Sequence, residues 1–452
     1  MGKYFGTDGV RGVANRELTP ELAFQLGRAG AYVLTKKAKH TPRVLLGKDS
    51  RRSGDMLEAA LTAGLCSIGA HVFSGGVIPT PAVAYLIGKY KLDAGIMISA
   101  SHNPMEDNGI KYFNGDGYKL HDSIEEEIES YINLTGNDSL PRPEGEGVGI
   151  IGACPYAADD YASFLVGTVP RLRLDGMKIA LDCANGATSF VAPIVFEKLG
   201  AEVHTLSNRP NGSNINAGCG STHMESLKKY VATQGVDIGL AFDGDGDRML
   251  AVDEKGNEVD GDAILAICGL DLKERRQLLK NTLVATSMSN QGLELFCKKN
   301  DIDLFRTDVG DRYVLEKMLA DELTLGGEQS GHYIFRQFCT TGDGILSGLQ
   351  LASIMVRKKQ TISQLASVME TFPQVLVNTH VPHTRKPELT TNGNIQKLQA
   401  EIEAELAGEG RILVRPSGTE PLVRVMLEGR DLDQITRMAN DLAKMIEKNL
   451  GN

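Results

Sequence analysis

The chain has 452 residues, of which 42% are hydrophobic and 23% charged, enough for three or four domains with full apolar cores. A net charge of −10 with no long basic run argues against nucleic acid as the main partner, although arginines gathered in one cleft can still hold an anionic small molecule. Seven scattered cysteines form no C-x-x-C pair, the N-terminus lacks a signal-peptide apolar region, and no apolar run reaches membrane length, so a reduced, cytoplasmic protein without a membrane partner is expected.

Residues 1–150 alternate helix and strand. Thr19-Pro20 sets an N-cap before a proline at the first helical position and predicts a helix over 21–37. A buried strand is expected at 44–46, then a helix capped by Ser53 with Met56, Leu57, Ala60, Leu61 and Leu65 on one face. Strands at 71–73 and 95–99 flank a helix opening at Thr80-Pro81, and the Gly-, Pro-, Asn- and acid-rich stretch 135–149 reads as a linker. The alternation then repeats. Strands are expected at 177–182, 201–206, 237–242 and 249–252 with helices at 189–199 and 223–232. A third round has strands at 283–286 and 304–307 and helices at 291–299 and 311–320.

After Thr371-Phe372-Pro373 the texture changes to strands at 375–377, 411–414 and 422–427 and a helix at 394–406. A last helix opens at Asp431 with Gln434 three residues on, like a capping box, and carries Ile435, Met438, Leu442, Met445 and Ile446 on one face. The expected organisation is three similar α/β domains at 1–150, 151–255 and 256–370, followed by a smaller α+β domain at 371–452.

Four loops carry chemistry-bearing residues. The 95–99 strand runs into Ala100-Ser101-His102-Asn103-Pro104, where Pro104 ends the strand and leaves a serine, a candidate nucleophile, beside a histidine. Just beyond it, Lys111 is read as a loop lysine that could assist proton transfer. Asp243-Gly244-Asp245-Gly246-Asp247-Arg248 can converge three carboxylates on one hard cation, favouring Mg²⁺. The competing calcium-loop pattern fits in part, with Glu254 at its twelfth position, but Arg248 stands where that loop needs glycine. Gly327-Glu328-Gln329-Ser330-Gly331-His332 places carboxylate and hydroxyl groups suited to sugar hydroxyls, or is an ordinary polar turn. Arg415-Pro416-Ser417-Gly418-Thr419-Glu420 reads as a phosphate cradle, with Arg424 near enough to join. Gly6-Thr7-Asp8-Gly9-Val10-Arg11-Gly12 adds a glycine-flanked loop with one arginine.

In this order the loops resemble those of the α-D-phosphohexomutase family across essentially the whole chain. The resemblance implies four domains around a central cleft, with the last domain rotating to open and close it. It also implies a catalytic phosphoserine at Ser101 and one Mg²⁺ held by Asp243, Asp245, Asp247 and a phosphoserine oxygen. Arg248 and Arg11 would stabilise the transferring phosphoryl oxygens, and His102 or Lys111 would move the hydroxyl proton. Glu328, Ser330 and His332 would hold the sugar, while Arg415, Ser417, Gly418, Thr419 and Arg424 would grip the phosphate that is not reacting.

Within the family, the 5–12 and 327–332 segments are most similar to the amino-sugar branch. That implies interconversion of D-glucosamine 6-phosphate and α-D-glucosamine 1-phosphate, with glucosamine 1,6-bisphosphate as intermediate and primer, for UDP-N-acetylglucosamine and cell-wall precursors. Mannose- or glucose-phosphate mutation is the rival in the same chemistry, since an amino group and a hydroxyl at C2 are similar in size and only Gln329 tilts the choice. A non-catalytic sugar-phosphate sensor is the rival from another class, but it would need no nucleophile. The sequence leaves a homodimer open.

Overall fold

The computed structural model describes residues 3–6, 8–36, 38–132, 140–417 and 420–451. Among the calls made from sequence, the end of the first helix at Lys37, the first part of the linker (135–139), Thr7, Gly418 and Thr419 lie outside the described residues. The chain forms two compact units, one of residues 1–288 with 303–367 and the other of 289–302 with 368–452. The fold is α/β, with mixed sheets in the first unit and an antiparallel sheet in the second.

The first unit holds three sheets. The largest has seven strands in the order Phe5–Gly6, Gly9–Val13, Asp107–Asn114, Ala94–Ile98, Arg43–Lys48, His71–Val77 and Ile151–Ala153. Ala94–Ile98 runs parallel to Arg43–Lys48 and antiparallel to Asp107–Asn114, and all five of its residues are buried. A strand covered on both faces reads as a continuous apolar run, as this one does. Alternate residues divide between the faces. Val44, Leu46, Ile96 and Ile98 pack in one core with Leu22, Leu26, Leu57 and Leu61 of the helices Pro20–Thr35 and Gly54–Cys66. Gly47 and Gly95 lie on the other face, where an added Cβ would meet Val83 of the helix Thr80–Tyr90.

The second sheet has the order Glu258–Val259, Met249–Val252, Ile238–Phe242, Lys178–Asp182 and Glu202–Leu206. The third is Asp303–Thr307, Thr282–Thr286, Leu325–Gly327 and Tyr333–Phe335. In the second unit, Gln374–His380, Leu422–Glu428 and Arg411–Pro416 form a three-stranded antiparallel sheet. Its core joins Val423, Val425 and Leu427 to Ile435, Leu442 and Ile446 of the terminal helix Leu432–Leu450.

Several elements differ from expectation for local physical reasons. Residues 107–114 form a strand, so Lys111 stands in the buried strand Asp107–Asn114 and not in a loop. The polar opening Asp107-Asn108-Gly109 masks it in sequence, but pairing with Ala94–Ile98 satisfies its backbone. The helix expected at 189–199 divides into a 3₁₀ turn, Ala187–Phe190, and a helix Ala192–Lys198, because Pro193 suits a helix start but not an interior. Ser53 makes no capping bond; its hydroxyl accepts from Asn108 Nδ2 at 2.9 Å. Asp431 caps the last helix through Asp433 N and Gln434 N, but the Gln434 amide donates to Glu405 at 3.1 Å, so the box is not reciprocal. Further helices are Asp122–Ser130, Ala157–Gly167, Glu225–Gln234, Gly261–Glu274, Asp311–Ala320, Gly344–Lys358 and Ile362–Ala366 in the first unit and Gln291–Lys299 and Gly393–Leu406 in the second. All seven cysteines are free, and among the described residues no helix is long and apolar enough to cross a membrane.

Candidate active site

Ser101 lies where the Ala94–Ile98 strand ends, is 2% exposed, and has φ of +54°, a left-handed backbone that costs a residue with a Cβ about 1–2 kcal/mol. The surroundings hold it there. The buried Arg51 guanidinium donates to the carbonyls of Ser101 (2.9 Å), Asn103 (2.8 Å) and Asp107 (3.0 Å), and also to that of Pro104. Asn216 Nδ2 donates to the Ser101 and Asn103 carbonyls at 2.8 and 2.9 Å. Asp49 pairs with Arg51 at 2.8 Å and accepts from Ser99 Oγ at 2.6 Å, and Ser99 Oγ in turn accepts from Ser101 N.

The three aspartates converge as their spacing suggests, on a tight turn between the paired strands Ile238–Phe242 and Met249–Val252. Gly246 takes φ of +72°, and a Cβ on Gly244 would lie 2.6 Å from the Ser101 carbonyl, so both glycines are required by geometry. One oxygen from each of Asp243, Asp245 and Asp247 lies within 4.8 Å of the others, all three residues being buried. Ser101 Oγ donates to Asp243 Oδ2 at 2.6 Å. Burial first, and then repulsion from Asp247 and Asp245, push the Asp243 carboxyl well above its ordinary range. Asp245 Oδ1 and Asp247 Oδ1 are buried without a hydrogen-bond partner, which is the donor set a hard cation would satisfy. The residues therefore fit a metal ion. Glu254 accepts from Ser363 N at 3.2 Å, so it closes no calcium loop.

Cations surround the acids. Lys111 Nζ is 2.9 Å from both Asp245 Oδ2 and Asp8 Oδ2 and 3.8 Å from Asp247 Oδ2. Burial works against the Lys111 charge, but Asp245 and Asp8 raise its ammonium above its ordinary value, so it is held as a cation. Arg11 pairs with Asp8 at 2.5 Å and reaches the Ala100 carbonyl and Asn103 Oδ1 at 3.4 Å. His102 Nδ1 is 3.3 Å from Ser101 Oγ, and burial, with Arg248 and Arg11 nearby, lowers the imidazole to about 4.

Of these groups, Asp8, Arg11, His102 and Asp247 line a cavity of about 510 Å³ within the first unit, together with Arg248, Glu328 and His332. Glu328 is buried and accepts from Gly310 N at 3.2 Å. His332 Nε2 accepts from Gly342 N at 3.0 Å, which leaves its Nδ1 hydrogen facing Asp247 Oδ2 at 3.7 Å. Ser330 is exposed and does not line this cavity, and the Gln329 side chain turns to Asp260 at 3.4 Å.

In the second unit, Arg415 and Arg424 are directly opposed across paired strands and so share a face. Arg424 pairs with Glu420 at 3.2 Å, and Ser417 Oγ accepts from Glu420 N at 3.2 Å. Lys386 donates to the carbonyls of Ser417 and Glu420 and closes the base of this loop. Two guanidiniums on one face of the sheet suit an anion.

Sequence reading missed Asp8, Lys119, Asp311, Arg51, Asn216 and Lys386. Two local signals were available: Asp8, three residues before Arg11 in the glycine-flanked 6–12 loop, and Asp49-Ser50-Arg51, an acid and a base two residues apart directly after an apolar strand. The others are brought together by tertiary contacts between segments far apart in sequence.

Four family models match in succession. Residues 2–138, 159–256 and 260–372 match the phosphoglucomutase/phosphomannomutase alpha/beta/alpha domains I, II and III, and residues 356–445 match the C-terminal domain of the same family. A phosphoglucosamine mutase of Acetivibrio thermocellus is 55% identical over 451 residues, covering all of both chains. One from Ruminiclostridium cellulolyticum is 56% identical over 450 residues with the same coverage. Among solved structures, a phosphoglucomutase/phosphomannomutase family protein from Burkholderia thailandensis superimposes with a TM-score of 0.81 at 23% identity, covering 98% of this chain and 96% of that one. N-acetylphosphoglucosamine mutase of Aspergillus fumigatus, solved with GlcNAc-6P and magnesium, gives 0.68 at 17% identity, covering 99% and 96%. With all four domains matched in order, the chain belongs to the phosphoglucomutase/phosphomannomutase family of α-D-phosphohexomutases, among relatives that are phosphoglucosamine mutases.

Proposed function

We propose that the chain is an isomerase that interconverts D-glucosamine 6-phosphate and α-D-glucosamine 1-phosphate through a phosphoserine at Ser101 and a bound glucosamine 1,6-bisphosphate. The observation that carries the mechanism is the buried Ser101 hydroxyl donating to Asp243 at 2.6 Å inside a cluster of three aspartates. A lone serine in a sensor would need no such site.

Mg²⁺ is the ion these hard oxygen ligands suit; Asp243, Asp245, Asp247 and a phosphoserine oxygen would hold it, and it would supply charge neutralisation for phosphoryl transfer. The chain's own residues do the rest. A sugar hydroxyl attacks the phosphorus on Ser101, its O–P bond forms as the Ser101 O–P bond breaks, and the serine oxygen leaves as the alkoxide. Arg11 and Arg248, which line the cavity, face the equatorial oxygens as charge builds on them. His102, neutral and next to Ser101, is placed to take the attacking hydroxyl's proton, whereas Lys111 is a fixed cation bound to Asp245 and Asp8. Glu328 and His332 hold sugar hydroxyls, with Ser330 at the rim of the same loop. Arg415, Ser417, Gly418, Thr419 and Arg424 grip the other phosphate. After the bisphosphate reorients, its second phosphoryl group returns to Ser101 by the same steps in reverse. The seven free cysteines accord with a cytoplasmic enzyme feeding amino-sugar and cell-wall precursors.

Phosphorus NMR tests this. The protein is given Mg²⁺, a trace of the matching 1,6-bisphosphate and, separately, the 1-phosphates of glucosamine, glucose and mannose. Conversion of glucosamine phosphate far ahead of the others, with one phosphoryl group on Ser101 by mass spectrometry, is expected. Faster hexose conversion would move the substrate to the hexose phosphates, and no conversion with intact binding would leave a sensor.

A further inference from the structure

Lys119 lies outside every motif of the sequence, yet it stands in the cavity wall. Its ammonium is 2.7 Å from Asp8 Oδ1 and 2.6 Å from Asp311 Oδ2. Asp8 belongs to the segment matched as domain I, and Asp311 to the segment matched as domain III. Each carboxylate leads on into one half of the site. Asp8 Oδ2 holds Lys111 at 2.9 Å and Arg11 at 2.5 Å, and Lys111 holds Asp245 at 2.9 Å. Gly310, the residue before Asp311, donates its N–H to Glu328 at 3.2 Å and so ties this end of the bridge to the sugar-holding loop. In the same loop as Glu328, His332 Nδ1 faces Asp247 of the metal loop at 3.7 Å.

We propose that Lys119 is a positioning residue of the mutase reaction, a bridge between Asp8 and Asp311 that fixes the sugar-holding loop against the phosphoryl-transfer centre while the bisphosphate reorients. The inference rests on the phosphoserine reading above. Burial opposes the Lys119 charge, but Asp311 and Asp8 raise its ammonium, so the bridge stays ionised. Stability alone is a poor account of it, because a buried pair of this kind is often no more stabilising than apolar packing of the same volume. Geometry is a better one. Asp8 sits on the turn between two short strands and Asp311 at a helix start after Gly310, positions whose own secondary structure does not set the distance between them. A bisphosphate that must turn over without leaving needs that distance kept, since a displacement of about 1 Å can cost about 100-fold in rate.

The test is K119M in the full-length enzyme, assayed with glucosamine phosphate and Mg²⁺ at trace and at saturating glucosamine 1,6-bisphosphate. When the wall is loosened, the intermediate escapes and leaves an unphosphorylated serine. Turnover should therefore fall about 100-fold at trace bisphosphate and recover to within about tenfold at saturation. Released bisphosphate, followed by phosphorus NMR, should rise, and K119R, whose fork can span both carboxylates, should restore part of the loss. A merely structural role would lower activity equally at both concentrations. If K119M fails to fold, the near-isosteric D311N, which removes the charge at the domain III end, must show the same bisphosphate-dependent loss. An equal loss at both concentrations, or none, would overturn the proposal. A wild-type enzyme with no phosphoserine and no response to bisphosphate would overturn the phosphoserine reading instead, and this inference with it.

Discussion

Replacing Arg51 by methionine separates the shape of the serine loop from the stability of the fold. The fully buried guanidinium holds four carbonyls of the loop and pairs with Asp49. Losing the bonds to the Ser101 and Asn103 carbonyls alone removes about 1.5 kcal/mol each for charge-assisted hydrogen bonds, about 3 kcal/mol together. The left-handed backbone of Ser101 then has about 1–2 kcal/mol to gain by relaxing, against only the two bonds from Asn216. At about 1.4 kcal/mol per factor of ten, the equilibrium between the serine-presenting loop and a relaxed one shifts about 100-fold toward the relaxed one, and kcat falls as that state becomes populated. Stability falls as well, by about 3–5 kcal/mol for a buried ion pair that loses one member. Burial already raises the Asp49 carboxyl, so the orphaned acid can take a proton and the loss should lie toward the lower figure. In D49N/R51M the stranded acid is gone, and most of the stability should return without the turnover. Thermal melting, kcat and amide hydrogen exchange across residues 99–107 report the three quantities. Wild-type turnover in R51M, or unchanged protection of the loop amides, would refute the reasoning, and so would recovery of kcat in the double variant.

Gly244→Ala sets a Cβ 2.6 Å from the Ser101 carbonyl and 2.8 Å from Ile215 Cδ1; a stability loss of about 1–3 kcal/mol with slowed serine phosphorylation is expected, and normal melting and phosphorylation would count against that contact. Mg²⁺ at about 100-fold over its dissociation constant should add about 2.7 kcal/mol of stability, read as a higher melting temperature than in EDTA, and this gain should shrink in D247N. A melting temperature indifferent to Mg²⁺ would speak against the metal site. Asp343, buried at the start of the helix Gly344–Lys358, accepts from Leu346 N and Tyr161 Oη, and burial raises it to about 6. The folded state therefore binds more protons than the unfolded chain between about pH 4 and 6, and this group's contribution to stability declines as pH rises through that window. D343N, which keeps a capping oxygen, should gain on the wild type across the same window by up to about 3 kcal/mol, so an offset in melting temperature that does not vary with pH would refute it.

The sequence by itself determined what is local. The apolar run read as a strand at 95–99, which forms at Ala94–Ile98 and ends before the polar elbow, and the aspartates alternating with glycines from 243 to 247, which do converge, are each written in adjacent residues. Strands buried on both faces and glycines at tight turns leave such traces because burial and backbone geometry constrain neighbours. What only the tertiary structure decided are the non-local pairings. Lys111 reads as a loop lysine until the Asp107–Asn114 strand is seen beside Ala94–Ile98, which buries it against Asp245 and Asp8 and makes it a fixed cation. Arg51 becomes the peg of the serine loop, and Lys119 the bridge from Asp8 to Asp311, through contacts spanning about 50 to 190 residues of chain. Such a charge leaves no periodicity in its own segment, because its partners are set by how the sheets pack and not by its sequence neighbours.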